Sequence, residues 1–153
     1  MMRRGVAAAL LALAAVLTAG GCDDDTTTVS TGDEPSRFDR RAERIVADWP
    51  ERVRPVSGRH GDMLPLEGAE LPRGHDGERF VVRVGHGACD ADYGAHVRET
   101  DKVVVVAGWA VKKKDVDVCT DQLLLDNVDV KLEKDLGDRP VVDAATGKAL
   151  LNG

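Results

Sequence analysis

Apolar and polar positions fall into distinct stretches along the chain. Residues 6–17 are twelve consecutive Val, Ala and Leu. Residues 23–35, DDDTTTVSTGDEP, then carry a single apolar side chain. So polar a stretch cannot bury enough surface to offset its ordering entropy, and it is expected to be a flexible, disordered acidic tether. Over 36–49 the period becomes helical. Phe38, Ala42, Ile45, Val46 and Trp49 lie on one stripe, Ser36 with Asp39 three residues on is close to a capping box, and Pro50 stops the helix. The other face carries Arg37, Arg40, Arg41 and Arg44 with Asp39, Glu43 and Asp48. Residues 50–78 are punctuated by Pro and Gly, which predicts turns and extended chain with a short edge strand near 63–66.

From Arg79 the pattern turns to strands. Fifteen of the 21 Val lie between 81 and 142, and Val favours the pleated sheet. Residues 80–84 read as a first strand. Residues 102–111 are apolar on both faces at their start and read as a central strand. Val128, Val130 and Leu132 alternate with Asp129, Lys131 and Glu133, which predicts a strand with one wet face. Residues 140–143 and 148–151 flank Ala-Ala-Thr-Gly147 as a closing hairpin. Shorter strands are expected at 95–99 and 116–125. The predicted fold is mainly β: a small antiparallel β-sandwich over 79–153, preceded by one amphipathic α-helix over 36–49 and the 50–78 connection.

Composition sharpens the start of the chain. Arg3 and Arg4 precede the apolar run, and Leu-Thr-Ala-Gly-Gly-Cys22 follows it. Charged start, short apolar core and small residues before a cut are the layout of a signal peptide, here residues 1–21. Twelve residues rise about 18 Å as a helix, too short to span hydrocarbon. The small residues ending at Cys22 resemble the lipobox of bacterial lipoproteins. That resemblance implies a diacylglycerol on the Cys22 thiol and an anchor in the membrane, with 22–35 as lipidated Cys and tether. A single acyl chain binds a membrane only marginally, whereas several on one Cys anchor it firmly. The whole chain has a net charge of -6, which argues against a nucleic-acid partner. The segment from 37 to 59 is nevertheless basic, with seven Arg and four acids. Contact of this segment with anionic lipid or wall polymer is one reading, and a solvated helix face packed on the domain is the plainer one.

With Cys22 taken as the anchor, Cys89 and Cys119 remain as a disulfide pair in an oxidising compartment. Closing a loop of about 30 residues stabilises by roughly 3 to 4 kcal/mol in the chain-entropy picture. The alternative use of the same region is metal. His86, Cys89, Asp90, Asp92 and His96 crowd into eleven residues, and Cys119 could complete a zinc set, although the spacing matches no familiar ligand pattern. Asp90, Asp92 and Gly94 look faintly like a calcium loop that lacks its third acid and terminal Glu. No metal or cofactor is assigned. Catalytic residues are not assigned either. Ser30, Ser36 and Ser57 lie in the tether, the helix cap and the Pro/Gly segment, and His60, His75, His86 and His96 each lie near Gly, as loop residues do.

Taken whole, the chain resembles small uncharacterised lipoproteins of actinobacteria. The resemblance rests on the lipobox, the polar tether, the helix ending near Trp49 and the Val-rich β domain. It also rests on Cys89-Asp90, Val118-Cys119-Thr120 and LGDRPVVDAATG over 136–147. It implies a lipid-anchored extracytoplasmic protein on the outer face of the cytoplasmic membrane, and it brings no catalytic residue. The expected role is a non-catalytic binding or scaffolding module at the cell envelope, toward an envelope protein or wall polymer. An envelope-polymer hydrolase and a small-ligand or metal-binding lipoprotein are the alternatives. Cys22→Ala should release the protein from the membrane fraction or leave the precursor uncut. Unchanged retention and processing would overturn the anchor.

Overall fold

The computed structural model describes residues 35–152 except 62, 75, 76 and 117. The signal peptide, Cys22 and all of the tether but Pro35 lie outside the described residues. Helix α1, Arg37–Asp48, begins as its sequence predicts. The Ser36 hydroxyl accepts from the Asp39 backbone N–H at 3.1 Å, and the Asp39 carboxylate accepts from the Ser36 N–H at 3.2 Å. Trp49 is already extended, as the residue before a proline prefers to be.

Seven strands follow: β1 Leu66–Glu70, β2 Arg79–Gly87, β3 Asp90–Glu99, β4 Val104–Lys112, β5 Leu123–Lys131, β6 Val141–Asp143 and β7 Ala149–Leu151. They form a three-stranded sheet in the order β1-β2-β5 and a four-stranded sheet in the order β3-β4-β6-β7. The expected sandwich preceded by one helix is what the chain builds. Strand β4 lies inside its sheet, as its two-sided apolar pattern requires.

Alternation along β4 sends its side chains to two different cores. Val104 and Val106 meet Phe80, Val82, Val84 and Val130 of the facing sheet. Val103, Val105 and Ala107 meet Phe38, Ala42 and Ile45 of α1. The molecule therefore has three layers: sheet, sheet and helix. Strand β6 repeats the arrangement, with Val141 in the first core and Val142 in the second.

Several elements differ from the expectations. The sheets are not wholly antiparallel, because β6 runs parallel to β4, with Val104 opposite Val141. The chain reaches β6 from β5 in the other sheet, through a crossing over 132–140, so no hairpin forces reversal. Arg139 secures that crossing, donating to Glu99 Oε2 at 3.2 Å and to the carbonyls of Thr100, Lys134 and Asp135 at 3.0, 2.9 and 2.7 Å. Among the described residues of 116–122 no strand forms; a single strand runs from Leu123 to Lys131, and Val118 before it is 84% exposed. A few Val among Asp, Cys and Thr find no apolar face to meet there. Strand β3 starts earlier than 95, because Asp90 pairs with Lys112 across a bulge. The edge strand lies at Leu66–Glu70 rather than 63–66, and Leu64 makes only an isolated bridge to Gly108. Strand pairing thus begins inside the stretch expected to be a connection.

Among the described residues no helix is long and apolar enough to cross a membrane. Removing two methyls from a wholly buried Val loses transfer energy and leaves a cavity, about 2 kcal/mol. Val105→Ala, under the helix, and Val106→Ala, under the facing sheet, should each cost that much in denaturant unfolding. Val97→Ala, at a 39% exposed position, should cost no more than about 0.5 kcal/mol. Equal small effects at all three positions would contradict the two-core arrangement.

Candidate functional site

Helical spacing sorts the charges of α1. Arg37, Arg40, Arg41 and Arg44 recur at steps of three, one and three and occupy one flank. Asp39 and Glu43 fall on the other flank, where Arg98 of β3 reaches them at 3.9 and 3.6 Å. These exposed ion pairs contribute little stability, well under about 1 kcal/mol. They engage these two acids on the far flank, whereas Asp48 lies on the arginine side, one turn beyond Arg44, and pairs with Arg52 at 3.4 Å.

That flank forms one wall of a groove of about 370 Å³. The opposite wall is His60, Gly61 and Met63, and the floor is Phe38, His96, Gly108 and Trp109. The walls are held in place by the turn between β6 and β7. Ala144 O accepts from Arg41 Nε at 3.2 Å, Ala145 O from the His60 N–H at 2.8 Å, and Thr146 O from the Val56 N–H at 2.9 Å. The turn is rigid for two reasons. Gly147 has φ +73°, and a Cβ there would stand 3.1 Å from the Arg54 carbonyl. The wholly buried Asp143 carboxylate accepts from Thr146 Oγ1 at 2.6 Å and from the Ala145 N–H at 3.0 Å. Burial dominates at Asp143 and pushes its pKa above the usual carboxylate value.

The floor depends on one pairing. Gly94 of β3 stands opposite Trp109 of β4. A Cβ at 94 would lie 2.7, 2.9 and 3.0 Å from three atoms of the indole, so the ring lies flat over the glycine. His96 continues the aromatic row, 6.2 Å from Trp109 and stacked on Phe38 at 5.1 Å. Burial lowers the pKa of His96 against a smaller raising effect of Asp39. Burial also lowers His60, helped by the charges of Arg41 and Arg44. Both imidazoles are therefore neutral at pH 7, and the positive charge of the groove is carried by guanidinium groups, which keep their protons at any working pH.

The metal set considered from sequence is not assembled. Cys89 and Cys119 are joined in a disulfide, their Cα atoms 5.8 Å apart, so neither thiol is available as a ligand. His96 faces the helix layer, whereas His86 stacks on Tyr93, which packs against the core between the sheets. Asp90 accepts from the Gly87 N–H at 2.6 Å, and Asp92 from the Tyr93 N–H at 2.9 Å. No group of three or more metal-binding side chains occurs among the described residues. Ser36 is spent on the helix cap, Ser57 is exposed in the loop after α1, and Ser30 and His75 lie outside the described residues.

Sequence reading missed a second polar cluster. His86 Nε2 lies 2.7 Å from Asp126 Oδ2, and Nδ1 lies 3.3 Å from the Gly87 carbonyl. The Tyr93 ring stacks on the imidazole at 3.8 Å. Both ring nitrogens face acceptors, and only the imidazolium can donate from both. The Asp126 hydrogen bond is the largest cause raising the His86 pKa, and the same bond holds Asp126 low. The only sequence signal was parity: His86 and Asp126 stand an even number of residues from the inward-facing Val84 and Val128.

Comparison of the chain with protein-family models, with curated proteins and with solved structures finds no match.

A histidine whose pKa folding raises adds stability that is complete below its unfolded value and lost as pH climbs through its folded value. Asp126, held low, adds stability above its unfolded value and loses it as pH falls through its folded value. The pair therefore stabilises most between about pH 4 and 6.5. Thermal unfolding should show the contribution of His86 fading as pH rises above 6.5, and His86→Gln should flatten that slope. An imidazole titrating by NMR at or below the ordinary value would contradict the geometry.

Proposed function

We propose that this protein is a lipid-anchored, extracytoplasmic binding or scaffolding module of the cell envelope, non-catalytic, which holds an anionic partner in the arginine groove. The observation that carries the reading is the sorting of α1. Four arginines line one groove, two of the helix's three acids are engaged by Arg98 on the other flank, and the third, Asp48, pairs with Arg52. The chain as a whole is negative, so a general surface attraction to anions is not available to it, and attraction must be local. The lipobox-like run ending at Cys22 supports anchoring. The stretch expected from sequence to be a tether, 22 to 35, ends in the chain where the arginine helix begins, and a flexible coil of that length would reach roughly 20 Å. The disulfide suits folding outside the cytoplasm.

Arg40→Glu/Arg44→Glu in the full chain reverses charge at two exposed groove positions without touching the core. In a Cys22→Ala background, where no lipid anchor contributes, binding to isolated anionic wall polymer should fall at least about tenfold in low salt. Binding of the chain that carries Cys22→Ala alone should weaken as salt rises. Lowering the pH below the ordinary imidazole range should strengthen it, because burial holds His60 and His96 neutral until then. Binding indifferent to the charge reversal would overturn the reading.

A further inference from the structure

The floor of the groove carries information that the arginines alone do not. Trp109 does not project from a rim, where it would wedge into a bilayer. It lies flat on the sheet, over a glycine that stands opposite it in the register. One face of the indole is covered by the backbone at 94, and the ring contributes to the groove lining from the floor. The negative face of an aromatic ring attracts C–H bonds, whose hydrogens carry partial positive charge, and a pyranose presents a flat array of such bonds. His96 lies tilted beside the indole and is itself stacked on the buried Phe38, so Trp109 is the ring the floor offers. Arg41 and Arg44 stand on the helical wall beside it, and a guanidinium is a planar fork matched to a carboxylate or phosphate. The volume of about 370 Å³ lies in the lower range of small-ligand pockets.

Resting on the envelope-binding reading above, we infer that the groove recognises an acidic saccharide. A sugar ring stacks on the Trp109 platform, and its carboxylate or phosphate group is held by the arginine wall. Polyphosphate offers the charge without the ring and dextran the ring without the charge, so neither satisfies both surfaces. A phospholipid headgroup offers phosphate at a bilayer surface and leaves the recessed indole unused.

The test follows tryptophan fluorescence of the full chain carrying Cys22→Ala, so that no lipid anchor inserts into vesicles, during titration with four probes: polygalacturonate, dextran, polyphosphate and phosphatidylglycerol vesicles. Trp109→Phe and Trp109→Leu are compared with that chain, and retained thermal unfolding shows that each variant is folded. For variants at 109, binding is followed by calorimetry. Polygalacturonate should bind at least about tenfold more tightly per charge than polyphosphate, a preference worth one base–aromatic stacking contact or less. Trp109→Leu should erase that preference and leave polyphosphate binding unchanged, with Trp109→Phe intermediate. Arg40→Glu/Arg44→Glu should weaken both anions. Equal binding of polyphosphate and polygalacturonate, or no effect of Trp109→Leu, overturns the saccharide inference and leaves the anion groove standing. Binding to the vesicles alone does the same. Dextran binding as tightly as polygalacturonate, or no binding of any anion, overturns both readings.

Discussion

The architecture depends on strand β4 being apolar on both faces. A strand in a two-layer sandwich needs one apolar face, and its other face meets water. Residues 103–107 have no polar face to offer, so the sheet that contains them has to be covered twice. The facing sheet covers Val104 and Val106, and helix α1 covers Val103, Val105 and Ala107. The amphipathic stripe of α1 and the second face of β4 are thus each other's solution. Neither would be stable in water alone, and their union puts an arginine-bearing helix against a sheet.

The turn after β6 links that core to the groove. It carries a wholly buried carboxylate, a costly group that is tolerated because its acceptor atoms are used locally. With Asp143 satisfying the donors of the turn, the carbonyls of Ala144, Ala145 and Thr146 are left to face outward. They hold Arg41, His60 and Val56, which are groove wall or its support. A backbone turn packed on the most buried strands thereby fixes a surface feature. The groove and the His86 cluster differ in their electrostatics, although Tyr93 and Gly94 are neighbours on β3. The groove keeps neutral imidazoles among fixed cations, whereas His86, stacked on Tyr93 between two acceptors, favours its charged form.

Much of this was legible in the residues. The capping box at Ser36, the stop at Pro50, the stripe from Phe38 to Trp49, the central strand and the closing hairpin are local signals, and each has a short-range physical cause. The Cys89–Cys119 bridge followed from treating Cys22 as spent, and the chain forms that bridge. The boundaries that moved are those set by a partner. Strand β3 extends back to Asp90 because β4 is long enough to pair with it, and the described residues of 116–122 form no strand, Val118 being left 84% exposed. The parallel pairing of β6 with β4 depends on the route of the 132–140 crossing, which no local pattern records.

The candidate site divides along the same line. The spacing of Arg37, Arg40, Arg41 and Arg44 placed them on the polar face of a helix together with Asp39, Glu43 and Asp48, in a segment whose basic excess stood out against an acidic chain. That the flank meets His60 and Trp109 across a groove is a matter of residues far apart in sequence. Likewise Gly94 and Trp109 are fifteen positions apart, and only the strand register lays one over the other. By itself the sequence determined periods, caps, turns and charge, because these depend on neighbours within a few residues. The tertiary structure alone decided which faces meet, because that depends on which apolar surfaces can cover one another.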